Sequence, residues 1–443
     1  MGADKSFGIA VVGCGTVGGS TAQILTRDRE MLKKRSGIDL NLKYIVDINF
    51  TTAQELGLAP SLFQKDLEVA LADPEVKCIV ELVGGTTLAK TITEKALNAG
   101  KHVITANKAL LAHHGNELWA LARAKDVSIA FEASCAGGIP IVRALYDGLL
   151  SNRIDAIYGI VNGTCNYILT EMIQKGQTYA VALADAQKIG LAEADPTLDV
   201  TGGDSAHKLT IMAGLAYGKQ IDFDSIPTEG IDTLELMDVS YGQELGYVVK
   251  LLAVAQRKEN GLSLRVRPAF ISEEHPLAWI SGPFNAVSVY GHAVGHTMYY
   301  GRGAGGSPTG SAVVSDILSV ALGIFPIQFK SLGIWPDQCE KAVQLPVEEI
   351  KSRYYIRTMI QDSPGMFAKL ATVLSESGIS ISSALQKELP EDHKDTGGVP
   401  VVVTTHATTE GLVMKALENI DAMAGVTQKS ICINIIDEHS EKI

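Results

Sequence analysis

Unbroken apolar runs and helically spaced segments take turns along the first 135 residues. The runs FGIAVV (7–12), LKYIV (42–46), CIVELVGG (78–85), HVITANKALL (102–111) and VSIAFEASCAGG (127–138) read as strands. Segments from about 20, near 88–99 and near 114–125 carry the spacing of helices. Strands that alternate with helices predict a doubly wound parallel sheet of the Rossmann type. Beyond about residue 340 the pattern changes: strand 353–361, helix 362–378, strand 379–389, strand 399–407, helix 409–421 and strand 426–436, with a charged hairpin loop at 390–398. This is a βαββαβ, ferredoxin-like order.

At 443 residues, 46% hydrophobic and 20% charged, the chain can bury large cores in two or three domains. Its net charge of −12, with no basic run, argues against nucleic acid or an anionic membrane as partner. The six cysteines (14, 78, 135, 165, 339, 432) form no CxxC pair, and no 18-residue apolar stretch occurs, so the expectation is a reduced, cytoplasmic protein. His292 and His296 have a helix-compatible ligand spacing, but a glycine intervenes and no acid stands beside them; they read as ordinary polar residues.

Candidate chemistry begins at Gly13-Cys14-Gly15-Thr16-Val17-Gly18, directly after the first strand and before a helix. In that setting the glycines allow a tight turn, close approach of a pyrophosphate and close helix–strand packing, which is the dinucleotide reading. The second strand ends at Asp47, which can accept from a ribose 2′-OH and would repel a 2′-phosphate; no Lys or Arg follows at 48–52, so NAD is favoured over NADP. Further strand ends at Gly84, at Thr105 to Lys108 and at 134–138 should line the same crevice, with Lys108 an active-site cation. Near residue 200, GLAEADPTLDVTGGDSAHKL sets Glu193, Asp195, Asp199 and Asp204 before Lys208. On a helix starting near Gly203, Asp204 and Lys208 share a face. The bland reading is a solvated ion pair worth ~0.2–0.5 kcal/mol. So many acids in one shaped loop instead point to a cation among them, such as the α-ammonium of an amino-acid substrate.

Together GCGTVG (13–18), VITANKALL (103–111), EASCAGGIPIV (132–142), GIVNGTCNYIL (159–169), the 190–209 segment and YYGRGAGGSPTGSAVVSDI (299–317) closely resemble the homoserine dehydrogenase family, over residues 7 to about 335. The resemblance implies reversible reduction of L-aspartate 4-semialdehyde to L-homoserine by NAD(P)H, on the route to threonine and methionine. It implies a dinucleotide domain (1–135, completed by about 308–335 through a returning helix at about 310–323) and an inserted α+β catalytic and dimerisation domain (136–307), in a homodimer or homotetramer. Gly13, Gly15, Thr16, Val17 and Gly18 would hold the cofactor, with Asp47, Gly84, Thr105 and Lys108, and Gly303 and Gly305 would close over it. Glu193 and Asp199 would bind the substrate ammonium, with Lys108 between substrate and nicotinamide. Gly163, Thr164 and Asn166 would shape the pocket wall, and Lys208, fixed by Asp204, would donate the proton.

Some members of that family hold a structural sodium ion on backbone carbonyls of the segment that here carries Glu132, Cys135, Gly137 and Ile139. The C-terminal region (350–443) resembles the ACT domain, an amino-acid-sensing module; Asp362 and Gly365 fall at its effector turn, and threonine is the expected effector. Two rival functions remain at this point: an acylating semialdehyde dehydrogenase with Cys135 as nucleophile, and an amino-acid sensor whose dehydrogenase part is inactive. The intact Lys108, Glu193, Asp199, Asp204 and Lys208 speak against the sensor.

Overall fold

A computed structural model describes residues 5–387 and 398–440. Its first layer is a six-stranded parallel sheet: β1 (Lys5–Val12), β2 (Ile38–Val46), β3 (Phe63–Gln64), β4 (Val76–Glu81), β5 (His102–Thr105) and β6 (Ile129–Ala130), in the order β3-β2-β1-β4-β5-β6. The order reverses between β1 and β4, which opens a ligand crevice at their carboxyl ends. There Gly13 turns at φ +93°, and a Cβ on it would lie 2.7 Å from the Leu82 carbonyl oxygen. The helix Gly306–Ala321 returns to this layer and packs on the helix Thr16–Arg27. The approach is close, since a Cβ on Gly306 would sit 2.4 Å from Ser20 Oγ.

Several boundaries move from the sequence expectation. The first helix begins at Thr16 rather than near 20. The run 102–111 is strand only to Thr105; Asn107 caps a helix that already contains Lys108 (Lys108–Ala124), its Oδ1 accepting from Leu110 N–H at 3.0 Å. Asn107 is a strong N-cap residue, and the apolar run that follows it is a helix face. Likewise 127–138 is strand only at β6 and then turns through a short 3-10 helix, Glu132–Ser134.

The second sheet joins the rest of the molecule. Strands β7 (Ile154–Ile160), β8 (Tyr247–Lys258), β9 (Gly261–Ser272), β10 (Phe284–Gly291) and β11 (Gly295–Arg302) form one end. The βαββαβ strands β12 (Lys351–Ile360), β13 (Ile381–Gln386), β14 (Val399–Thr405) and β16 (Ile431–Ile436) form the other, with β15 (Thr408–Thr409) pairing β12. The order is β11-β10-β7-β8-β9-β16-β12-β14-β13, and β9 and β16 pair in parallel through Ala269/Asn434, Phe270/Ile435 and Ile271/Ile436. The C-terminal module thus extends the preceding domain's sheet instead of carrying one of its own. Alternation along β12 separates two faces. Tyr354 and Ile356 pack under the helices Met366–Glu376 and Glu410–Asp421. Tyr355 and Arg357 turn the other way, and the buried Arg357 guanidinium grips Asp238, on the helix Leu236–Glu244, at 2.6 and 2.9 Å.

The first helix of this module starts at Met366, not 362: the D-S-P-G stretch is an exposed turn with Gly365 at φ +89°. The charged hairpin loop read at 390–398 lies outside the described residues save for Gly398. His292 and His296 belong to the β10–β11 hairpin, where the i,i+4 spacing has no helical meaning. Among the described residues no group of acids, histidines and cysteines could hold a metal ion, and no single helix is long and apolar enough to cross a membrane.

Candidate active site

The helix Gly203–Tyr217 starts at Gly202, a left-handed residue without a capping side chain, and runs through the interior with Asp204 and Lys208 both buried. The solvated-pair reading is therefore overturned. Asp204 Oδ2 accepts from Lys208 Nζ at 2.7 Å, and its Oδ1 pairs with Lys108 Nζ at 2.8 Å. Lys208 Nζ also donates to the Val161 carbonyl at 2.6 Å. Burial works against the Asp204 charge, but Lys208 and Lys108 hold its pKa far below the usual carboxylate range. Burial likewise opposes the Lys108 charge, and Asp204 outweighs it, so that lysine lies above its ordinary pKa.

Asn162, which the sequence reading did not single out, ties this cluster to the substrate loop. Its Nδ2 donates to Asp204 Oδ2 at 2.9 Å and to Asp199 Oδ1 at 2.7 Å, while its Oδ1 caps the helix Gly163–Lys175 through Cys165 N–H. The signal was present in the chain: Asn-Gly opening a helically spaced apolar run is an N-cap signature. Burial, then the neighbouring Asp204, raise the pKa of Asp199. Lys108 and Lys208 balance Asp199 and Asp204 in charge. Glu193 stands apart on its loop: its carbonyl accepts from Gln187 Nε2 at 3.2 Å, but its exposed carboxylate makes no hydrogen bond or ion pair among the described residues, so it is a carboxylate in excess of the local cations.

Gly163 and Thr164 open the same helix, and Thr164 Oγ1 bonds the Leu191 carbonyl at 3.1 Å, joining it to the acidic loop. Asn166 is placed elsewhere. Its Nδ2 donates to the carbonyls of Ile280, Gly282 and Phe284 at 3.3, 2.8 and 3.2 Å, and its Oδ1 accepts from Lys250 at 3.3 Å. It staples the 280–284 loop.

On the cofactor side, a Cβ at Gly18 would strike the Gly13 carbonyl oxygen at 1.8 Å, whereas one at Gly15 would meet nothing within 4 Å. The glycine loop is thus closed toward its own helix and open toward a ligand. Asp47 accepts from Cys14 N–H at 2.5 Å and from Asn49 N–H at 3.0 Å, which fixes its carboxylate beside that loop. Thr105 Oγ1 donates to the buried Glu81 at 2.7 Å, and Gly84 is open-sided at φ +75°. Gly305 precedes the helix Gly306–Ala321 without a side-chain cap, so two uncapped helix N-termini lie together, a good setting for a pyrophosphate. These residues fit a dinucleotide.

Glu132, Gly137 and Ile139 line a cavity of about 310 Å3. Cys135 does not line it; its thiol points to the Lys208 carbonyl at 3.8 Å. That thiol is fully buried, and burial pushes its pKa up to about 12. A buried, protonated thiol is no nucleophile.

Residues 140–318 match the family model of homoserine dehydrogenase, 13–132 that of the homoserine dehydrogenase NAD binding domain, and 354–422 that of the ACT domain. A homoserine dehydrogenase of Pseudomonas aeruginosa is 43% identical over 97% of this chain and 99% of its own length. One of Neisseria gonorrhoeae is 40% identical over 98% and 100%. Among solved structures, the homoserine dehydrogenase of Thiobacillus denitrificans superposes with a TM-score of 0.91 at 41% identity, covering 98% of this chain and 99% of that one. A hyperthermophilic archaeal homoserine dehydrogenase in complex with NADPH gives a TM-score of 0.59 at 25% identity, over 72% and 98%.

The state of Cys135 can be checked directly. Brief treatment of the folded protein with iodoacetamide near pH 7.5 should leave Cys135 unlabelled by peptide mass mapping, and Cys135→Ala should keep activity within a few-fold of wild type. Rapid labelling of Cys135, with activity lost in step, would restore the thiolate mechanism.

Proposed function

Because the chain belongs to the homoserine dehydrogenase family, we propose how its residues divide the work of the reaction. The activity is that of an oxidoreductase that interconverts L-aspartate 4-semialdehyde and L-homoserine with a nicotinamide cofactor, toward threonine and methionine. The observation that carries the proposal is the buried carboxylate of Asp204 between two lysines.

When bound, NAD(P)H supplies the hydride to the aldehyde carbon. The carbonyl oxygen then gains the electron pair of the C=O π bond and needs a proton. Lys208 Nζ donates it and later recovers one from solvent; in the reverse direction its neutral amine takes the hydroxyl proton of homoserine. Lys108, charged because Asp204 favours its ammonium, offsets the negative charge on that oxygen. Glu193, with Asp199, takes the substrate α-ammonium, since the two lysines leave Glu193 without a cation. Gly163 and Thr164 form the wall. Gly13, Gly15, Thr16, Val17 and Gly18 cradle the pyrophosphate, Gly303 and Gly305 cover it, and Gly84 and Thr105 flank the nicotinamide side.

Supporting readings are tested separately. A sodium ion, held by carbonyls of the 132–139 segment, is proposed as structural only; melting in NaCl against tetramethylammonium chloride should show stabilisation by sodium, and equal melting temperatures would dismiss it. Assembly as a homodimer or homotetramer is supported by β11, a sheet-edge strand that exposes Met298 and Tyr300; a monomer in light scattering at assay concentration would refute it.

Loss of a positioned general acid costs ~10²–10⁴-fold, so Lys208→Ala should lower kcat by that order, while Glu193→Leu should chiefly raise KM for homoserine. A Lys208→Ala enzyme within a few-fold of wild type would remove lysine from the proton path. Since Asp47 ends β2 with no basic residue after it, kcat/KM should favour NAD over NADP; a preference of tenfold or more for NADP would overturn this. L-threonine, acting at the Asp362 and Gly365 turn, should inhibit the full chain with an effect on affinity of ~5–150-fold. Removal of residues 345–443 should abolish the response if the shortened chain folds, and Asp362→Ala should weaken it in the full chain. Full-length enzyme indifferent to threonine would contradict the assignment of effector.

A further inference from the structure

Glu81, the last residue of β4, is wholly buried and forms no ion pair among the described residues. A buried carboxylate without a cation persists only where hydrogen-bond donors converge on it. Its Oε1 accepts from Val83 N–H at 2.9 Å, and its Oε2 accepts from the hydroxyl of Thr105, its neighbour across the β4–β5 pair, at 2.7 Å. Burial raises its pKa, while the Gly84 N–H and the Asn107 side chain join those two donors in favouring the charged form.

These bonds close a ring. Thr105 Oγ1 accepts in turn from Asn107 N–H at 3.0 Å, and Asn107 Nδ2 donates to the Gly85 carbonyl at 2.6 Å. Gly84 and Gly85, at φ +75° and +65°, make a left-handed turn with open space where side chains would stand. The backbone just before that turn lies against the glycine loop, since a Cβ on Gly13 would fall 2.7 Å from the Leu82 carbonyl oxygen and 3.0 Å from Val83 N. On the other side Asn107 caps the helix whose first residue, Lys108, pairs with Asp204. One buried carboxylate therefore fixes the strip of backbone between the glycine loop and Lys108.

We propose that Glu81 is a positioning residue of the reaction: it holds the Gly84–Gly85 turn and the Lys108 ammonium in one fixed relation, so that cofactor and lysine meet the substrate together. This rests on the dehydrogenase reading above, in which Gly84 and Thr105 flank the nicotinamide and Lys108 offsets charge on the substrate oxygen. The residue type follows from hydrogen-bond inventory. An ionised carboxylate only accepts, and the groups bonded to it are donors. The isosteric Gln would aim an N–H at Val83 N–H or at the Thr105 hydroxyl, whose own proton would then lose its acceptor. Either way the ring opens, and Lys108 is free to shift against the turn.

The test uses the full chain as wild type, Glu81→Gln, Asn107→Ser and Lys108→Ala, with the first two changes also placed on Lys108→Ala. Serine keeps the helix cap but drops the amide that holds Gly85. Glu81→Gln and Asn107→Ser should each lower kcat for homoserine oxidation roughly ten- to a hundredfold, while the calorimetric Kd of the matching ADP-ribose, which lacks the nicotinamide, stays within about twofold of wild type. On the Lys108→Ala background the same changes should cost at most about threefold, because the lysine they position is gone. Losses that multiply in full on Lys108→Ala would show a merely structural residue and overturn the proposal. So would an unchanged kcat in either variant, or ADP-ribose binding lost in step with kcat. Should Glu81→Gln fail to fold, Asn107→Ser, at a half-buried position, decides alone by the same criteria. Homoserine oxidation by the wild type, run beside these assays, separates failure of this role from failure of the dehydrogenase reading.

Discussion

Everything in the catalytic cleft depends on one buried carboxylate. Asp204 is 3% exposed and sits between the ammonium groups of Lys108 and Lys208 at 2.8 and 2.7 Å. Two lysines sharing a water-poor site would repel; the carboxylate between them offsets that repulsion and lifts the pKa of Lys108 above its ordinary value. The pairing also spans the molecule. Lys108 opens a helix of the parallel-sheet layer, whereas Asp204 and Lys208 come from the layer built around the long mixed sheet. The carboxylate that pairs with both lysines is thus the contact that registers the nucleotide-binding half against the substrate half, and Asn162 carries that registration on to Asp199.

A second constraint governs the C-terminal module. Parallel pairing of β16 with β9 makes one sheet of two domains, and on its inner face Arg357 and Asp238 form a buried bidentate pair to which the Tyr355 hydroxyl adds a third bond at 2.9 Å. Removing one partner of such a pair costs about 3–5 kcal/mol, because the other charge is left buried and alone. The module is therefore built into the body of the enzyme. Its strands are continuous through β9 with β8 and β7, and β8 packs on the helix Gly163–Lys175.

Much of this was legible in the chain. The glycine loop, the four-residue spacing of Asp204 and Lys208, and the βαββαβ order are local patterns whose meaning survives folding. Lys108 was read as following a strand, whereas it opens a helix and pairs with Asp204: the apolar run 102–111 hides a strand-to-helix change at Asn107, because a fully buried strand and a buried helix face look alike over ten residues. The bonds of Asn166 to the 280–284 loop were not legible, because an amide at helical spacing does not declare which way it points. Asn162 escaped notice since its importance lies in partners more than thirty residues away. The join of β9 to β16 is equally silent, as pairing between residues 165 apart in the chain leaves no periodic trace.

The central claim, that the Asp204 charge governs proton transfer in the cleft, is most directly tested by the pH dependence of kcat/KM for homoserine oxidation in wild type and Asp204→Asn. Oxidation needs a neutral lysine, so activity rises with pH through the lysine pKa. Loss of the carboxylate removes the charge that favours the ammonium, and the rising limb should move to lower pH by about one unit or more. A limb that stays in place while only the maximal rate falls would show that Asp204 shapes the site without governing its proton, and would contradict the account.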